Sequence, residues 1–232
     1  MLVTAFLGLL EFYRMALPAA RGKGVFASVA GTAFCFFFML PDMPILFPVT
    51  FLMLFYGLVS LLGIRDIKHS AVEAALLLMG VLYIPLLLSH LTLLHGLAEG
   101  KHWILLMLLI VMSGDTGAFY VGSTLGRRKL YPVVSPNKSI EGMLGGFVGS
   151  ILGAFIARAV FFPGLTPVDC LATALLVGLA GQLGDLFESL LKRSFGVKDS
   201  GNIFPGHGGM LDRLDSILFA APTLYIYASN IY

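Results

Sequence analysis

Charged residues are concentrated in one run near the C-terminus, residues 189–215. These 27 residues contain four cations, three carboxylates, one histidine and several glycines. Basic side chains neutralise phosphates, and carboxylates hold divalent cations, so this mixture suits an anionic substrate that arrives with a divalent cation. The cationic candidates for phosphate binding are Lys192, Arg193, Lys198 and Arg213.

Three carboxylates near this run are candidate metal ligands. Asp185 lies in an apolar helical stretch, where an ionised side chain costs about 2.5 to 3.5 kcal/mol near the bilayer centre. Asp212 and Asp215 are three residues apart at the expected start of the last helix. If the two helix ends converge, the three carboxylates suit Mg²⁺. The alternatives are an ion pair of Asp185 with Lys192 or an arginine, and helix capping by the other two.

A glycine-rich turn precedes the last helix and includes His207, Gly208 and Gly209. Glycines let backbone amides surround an anion, and a helix N-terminus adds its positive dipole end, so the turn resembles a phosphate-binding turn. His207 is a candidate acid, base or phosphate donor. The alternative is that Gly and Pro merely separate two elements.

A second polar connection, residues 123–142, carries further candidates. Lys138 lies among the hydroxyls of Ser135 and Ser139 and the carboxylate of Glu141, a set that could contact phosphates. Upstream, Asp115 interrupts an apolar segment near the same membrane surface. Arg127, Arg128 and Lys129 are better explained as topology determinants that also contact lipid headgroups.

The elements that must position these residues are membrane helices. The chain of 232 residues is 58% hydrophobic and only 12% charged, with a mean hydropathy of +0.91, which excludes a soluble domain and a disordered chain. We predict an all-α, polytopic transmembrane bundle of about eight helices in one domain, residues 1–232. The predicted segments are 2–20, 25–40, 43–64, 71–95, 103–122, 143–162, 170–191 and 216–231.

The Lys and Arg residues between segments predict the orientation. The connections after segments one, three, five and seven hold twelve of the fifteen, and the alternate connections hold only Lys101. These four connections, and the active site with them, are therefore expected on the cytoplasmic side. Both termini are then outside, and because Met1–Leu10 lacks a basic signal-peptide region, a further helix is expected to be missing from the chain.

The run from Ser189 to Asp215 resembles the signature of the phosphatidate cytidylyltransferase, or CDP-diacylglycerol synthase, family. The matching residues are Lys192-Arg193, Lys198-Asp199, Gly201, Phe204-Pro205, His207-Gly208-Gly209 and Asp212-Arg213-Leu214-Asp215. Residues 115–122 and 135–142 resemble two further blocks, with Ile140 where many members carry an aromatic residue. The resemblance covers residues from about 110, whereas residues 1–100 match only as generic membrane helices.

The resemblance implies transfer of CMP from CTP to phosphatidate, giving CDP-diacylglycerol and pyrophosphate, in a bacterial-type cytoplasmic membrane. It implies that Asp185, Asp212 and Asp215 hold Mg²⁺, with a second cation such as K⁺ left open. The same three carboxylates, with Lys192, Lys138 and His207, are the expected catalytic residues. The expected phosphate contacts are Ser135, Lys138, Lys192, Arg193, Lys198, His207, Gly208, Gly209 and Arg213, and Asp115 and Asp199 are supporting candidates.

Two other functions are left open by the residues themselves. One is a CTP-using membrane enzyme with a different lipid acceptor, and the other is a transporter, which the polar residues at one surface disfavour. No nucleic-acid partner is expected from a net charge of +2. The small-residue spacing Gly145, Gly146, Gly149 and Gly153 allows close helix contact within the chain or between chains, so a homodimer is left open.

Overall fold

The protein is described by a computed structural model that covers residues 1–37, 44, 46–61, 64, 67–204, 206 and 208–231. Its helices are α1 (Leu2–Ala16), α2 (Arg21–Phe37), α3 (Leu46–Leu61), α4 (Ile67–Tyr83), α5 (Pro85–Gly96), α6 (Gly100–Leu125), α7 (Ile140–Val160), α8 (Pro167–Ser194) and α9 (Leu211–Ile231). A short 3₁₀ helix, Pro18–Ala20, joins α1 to α2. The helices reflect the long apolar runs.

Among the described residues, four helical stretches are long and apolar enough to cross a membrane. They are Ile67–Gly96, Gly100–Leu125, Ile140–Val160 and Pro167–Ser194, and a fifth is reached if Leu2–Ala16 and Pro18–Phe37, bent by 117°, count as one span. The prediction of an all-α chain with several candidate membrane helices is thus confirmed. The count of about eight membrane helices stays a prediction.

One small sheet lies in the connection between α6 and α7. Strands β1 (Lys129–Tyr131) and β2 (Ser135–Ser139) pair antiparallel, with Lys129 opposite Ser139 and Tyr131 opposite Ser135. The sequence did not predict this hairpin, because the hydropathy pattern that indicates membrane helices carries no information about a polar connection.

The described chain divides into two compact units, and neither is continuous in sequence. The first contains Met1–Ser89 and Phe195–Asp212, and the second contains His90–Ser194 and Arg213–Tyr232. Buried tyrosines join helices of the first unit: the Tyr13 hydroxyl donates to the Leu77 carbonyl at 2.6 Å, and the Tyr56 hydroxyl donates to the Ala27 carbonyl at 2.7 Å.

Glycines let α6 and α7 approach closely within the second unit. A Cβ at Gly117 would lie 2.5 Å from the Gly145 carbonyl oxygen, and a Cβ at Gly149 would overlap the Ser113 carbonyl. The Ser150 hydroxyl donates to the Ile110 carbonyl at 3.2 Å between the same helices. The glycine spacing seen in the sequence therefore serves helix packing within the chain.

Candidate active site

A cavity of about 570 Å³ lies within the second unit, between α6, the hairpin, α7 and α8. Its lining includes four residues that the sequence analysis selected as site candidates, namely Asp115, Ser135, Lys138 and Asp185. These residues come from α6, β2 and α8, so the fold brings together candidates that are up to 70 positions apart in the chain. Phe119 and Leu186 give the same cavity apolar walls.

Lys138 and Asp185 form an ion pair in this cavity. The Lys138 Nζ lies 2.7 Å from the Asp185 Oδ2, and the two side chains are 26% and 33% exposed. Ser189, one turn further along α8, donates to the Asp185 Oδ1 at 3.5 Å. A lysine and a carboxylate at a solvent-accessible cavity wall can contact a phosphate and a cation respectively.

Hydrogen bonds from backbone N–H groups to the side chains of Ser139 and Glu141 hold the hairpin that carries Lys138. The Ser139 hydroxyl caps α7 by accepting from the Gly142 N–H at 3.0 Å. The Glu141 carboxylate accepts from the Arg127 N–H at 3.0 Å and from the Arg128 N–H at 3.1 Å. Lys138 therefore lies on β2 one residue before Ser139, whose side chain caps the start of α7.

Asp185 acts electrostatically on two further carboxylates of this unit, those of Asp115 and Asp215. Asp215, on α9 outside the four candidate spans, has its pKa raised to about 7 by burial first and then by the negative charges of Asp185 and Asp115, with Lys192 opposing. Mutual repulsion of this kind means that Asp115, Asp185 and Asp215 share one electrostatic neighbourhood. Such a neighbourhood attracts cations.

Lys192 has a different partner from the one that helical periodicity suggested. Its Nζ pairs with the buried Glu188 carboxylate, one turn earlier on α8, whereas Asp185 pairs with Lys138. The alternative of a local Asp185–Lys192 ion pair is therefore not what the structure shows. Arg193 at the end of α8 and Arg213 on α9 are exposed side chains of the same unit.

The remaining site candidates belong to the first unit. Asp212 accepts through Oδ2 from the Ser200 N–H at 3.0 Å, the Ser200 hydroxyl at 2.8 Å and the Gly209 N–H at 2.7 Å. Asp212 thus has a structural role in the loop, in line with the alternative that it caps the following helix. Its role as a metal ligand stays a prediction. Lys198 and Asp199 are exposed, and His207 lies outside the described residues.

The glycine-rich turn has one amide, the Gly209 N–H, committed to a carboxylate of the chain. Gly208 has a φ of +82°, and a Cβ there would lie 2.5 Å from the Asp212 Oδ2. The Gly209 N–H donates to Asp212, so it is not presented to a phosphate as the sequence suggested. Phosphate binding by Gly208 stays a prediction.

Sequence reasoning missed Glu11, a buried carboxylate on α1 that is 2% exposed. It accepts from the Met210 N–H at 3.0 Å, the Leu211 N–H at 2.9 Å and the Ser200 hydroxyl at 3.0 Å. The available signal was an acidic residue inside an apolar helix, which is costly unless it is paired or functional.

The carboxylates of the second unit fit Mg²⁺ only if substrate phosphates and water supply the remaining ligands. Across the described residues, no group of three His, Cys, Asp or Glu side chains lies close enough to hold a metal ion. Mg²⁺ needs one or two carboxylates, with water and substrate phosphates completing its octahedron. Asp185, with Asp115 and Asp215 in its field, meets that requirement.

Comparison with known proteins shows the family of the chain. The cytidylyltransferase family model matches residues 1–231. Proteins named phosphatidate cytidylyltransferase are 39% identical over 181 residues in Staphylococcus saprophyticus (78% of this chain, 67% of the relative) and 44% identical over 159 residues in Staphylococcus aureus strain COL (68% and 60%). The aligned region thus spans about 60 to 67% of the length of these relatives. The chain belongs to the cytidylyltransferase family.

Proposed function

We propose that this chain transfers the cytidylyl group of CTP to phosphatidate, giving CDP-diacylglycerol and pyrophosphate. The observation that carries the proposal is the Lys138–Asp185 pair in a cavity with both charged and apolar walls, in a chain of the cytidylyltransferase family. A lipid phosphate needs both kinds of wall. The relatives are named for transfer to phosphatidate, which supports this acceptor.

The reaction requires positioning and charge neutralisation more than covalent chemistry. A phosphate oxygen of phosphatidate attacks the α-phosphorus of CTP, and the bond from that phosphorus to the bridging oxygen of pyrophosphate breaks. Negative charge grows on the leaving pyrophosphate, so prearranged cations lower the barrier. Lys138 is proposed to contact the phosphates from β2, with the Ser135 hydroxyl beside it.

The other basic candidates have supporting roles in the proposal. Arg193 and Arg213 are exposed on the cavity-bearing unit and can neutralise phosphate charge. Lys192 is paired with Glu188, so its proposed contribution is the field that it exerts on Asp215. Lys198, Gly208, His207 and Asp212 keep their predicted phosphate and metal roles as proposals.

We propose Mg²⁺ as the accompanying cation, held by Asp185 with Asp215 or Asp115. Bound there, it would neutralise triphosphate charge. Asp185 already attracts a cation, since Lys138 lies 2.7 Å from it. A second cation such as K⁺ is part of the same proposal because one Mg²⁺ does not neutralise the whole charge of a triphosphate.

The proposed membrane arrangement has about eight spans, with the cavity on the cytoplasmic side. Arg127, Arg128 and Lys129 adjoin the hairpin that carries Lys138, as the positive-inside tendency requires of a cytoplasmic connection. This placement is tested by introducing a cysteine at Val133 and measuring its labelling from either side of an oriented vesicle. A homodimer stays a prediction, and the glycine stripe, being used between α6 and α7, lends it no support.

The test is a transfer assay with purified protein in detergent, phosphatidate, labelled CTP and Mg²⁺. Label is expected in the lipid fraction, with loss on addition of EDTA and return on excess Mg²⁺. Diacylglycerol, which lacks the attacking phosphate, and a polyprenyl phosphate serve as acceptor controls. Transfer to the polyprenyl phosphate instead of phosphatidate would establish the other CTP-using enzyme, and no transfer to any acceptor would refute the proposal.

A further inference from the structure

We infer that Glu11 is a positioning residue for the signature loop, the described part of residues 195–210. It holds Ser200, Gly201, residues 208–210 and the start of α9 in the geometry that the reaction uses. The inference rests on the proposed function, because the loop carries predicted substrate-binding residues. Glu11 lies on α1, about 190 positions before its partners, far outside the signature run of residues 189–215.

The contacts of Glu11 are those of a helix cap supplied from a distant segment. Its Oε1 accepts from the Met210 N–H and its Oε2 from the Leu211 N–H, at 3.0 and 2.9 Å. The first N–H groups of a helix lack intrahelical partners, and a carboxylate near them is favoured by the helix dipole. Glu11 therefore determines where the first turn of α9 begins.

The same carboxylate is linked to Asp212 through one hydroxyl. The Ser200 Oγ lies 3.0 Å from the Glu11 Oε2 and 2.8 Å from the Asp212 Oδ2. The Asp212 N–H also donates to the Ser200 Oγ, at 3.3 Å. A hydroxyl has one proton to donate, so it bridges two carboxylates by sharing it. Any shift of Glu11 thus passes to Asp212, a predicted metal ligand.

Two glycines of the loop leave space for the Glu11 carboxylate. A Cβ at Gly201 or at Gly209 would overlap the Glu11 carboxylate. Gly201 and Gly209 belong to the residues that resemble the family signature, and their lack of a side chain is explained here by contact with Glu11. The carboxylate is also 2% exposed, so it is enclosed by the loop that it holds.

Glu11→Gln tests the inference because the amide keeps the size of the side chain but opposes one of the two N–H donors with its own NH₂. We expect kcat per folded protein to fall about 10- to 100-fold, since a misplacement of about 1 Å costs that much. We also expect the KM for CTP to rise, and Glu11→Asp, which keeps both acceptor oxygens, to recover part of both changes. Glu73→Gln removes a carboxylate of the same unit that pairs with Lys23 at 2.6 Å, and it is expected to leave both constants unchanged.

Hydrogen exchange over peptides 199–212 supplies a readout that does not depend on activity. Glu11→Gln is expected to speed exchange there, while peptides of α6 and α8 keep wild-type rates. Wild-type kinetics per folded protein in Glu11→Gln, with or without faster exchange, would overturn the positioning role. If the wild type itself transfers no label, the proposed function fails, and unchanged exchange in Glu11→Gln would still overturn the inference on its own.

Discussion

The Lys138–Asp185 pair gives the sharpest test of the cavity as the reaction site. We predict that Lys138→Gln lowers kcat/KM by about 10- to 150-fold, the equivalent of losing one hydrogen bond to a charged group, worth about 1.5 to 3 kcal/mol. Asp185→Asn should cost more, about 100- to 1000-fold, because it removes a prearranged charge from the site of transfer. The assay is label transfer from CTP to phosphatidate at saturating Mg²⁺.

The double variant separates a catalytic pair from a structural one. If both side chains act on one assembly of phosphate and cation, Lys138→Gln/Asp185→Asn should be no worse than Asp185→Asn alone, within about threefold. A purely structural pair predicts the reverse pattern, in which the double variant recovers activity because neither partner is left alone. A fall equal to the product of the two single effects would show independent roles and refute the shared-site reasoning.

The stability of the same variants should change little. The two side chains are about a quarter to a third exposed, and ion pairs in such settings contribute about 0 to 1 kcal/mol. The Lys23–Glu73 pair is a matched control, since its 2.6 Å separation and its 19% and 23% exposures are similar. Lys23→Gln/Glu73→Gln is expected to keep full transfer activity, and a comparable loss there would assign the effect to membrane helix packing in general.

Two further predictions concern the support of the cavity. Gly149→Ala should destabilise the protein by about 1 to 3 kcal/mol in thermal unfolding, because its Cβ overlaps the Ser113 carbonyl between α6 and α7. Gly57→Ala, with open space around it, should be neutral or stabilising by up to about 1 kcal/mol, and equal effects at both sites would contradict the packing argument. Ser139→Ala should cost about 1 kcal/mol by leaving the Gly142 N–H uncapped, and Ser139→Asp should restore it, with unfolding midpoints as the measurement.

The sequence predicted the helices and part of the site because both depend on local patterns. Apolar runs of span length indicated α6, α7 and α8 to within a few residues, and residue chemistry selected Lys138 and Asp185 as candidates. The ion pair between Lys138 and Asp185 could not be predicted from the sequence, since helical periodicity relates Asp185 only to neighbours such as Lys192. The true partner is 47 positions away on a hairpin, and its approach depends on how α6, α7 and α8 pack.

The signature run illustrates why a motif is not itself a structural unit. Residues 189–194 and 213–215 belong to the unit that holds the cavity, whereas residues 195–212 belong to the unit that contains α1. Within that second group, Asp212 and Gly209 share a hydrogen bond. Gly209 leaves space for Glu11, Asp212 is linked to Glu11 through Ser200, and the sequence offered no local sign of either contact. The family match over residues 1–231 is consistent with such a role for the N-terminal helices. A variant in residues 195–212 should therefore be judged first by its contacts with α1, and only then by its distance from substrate.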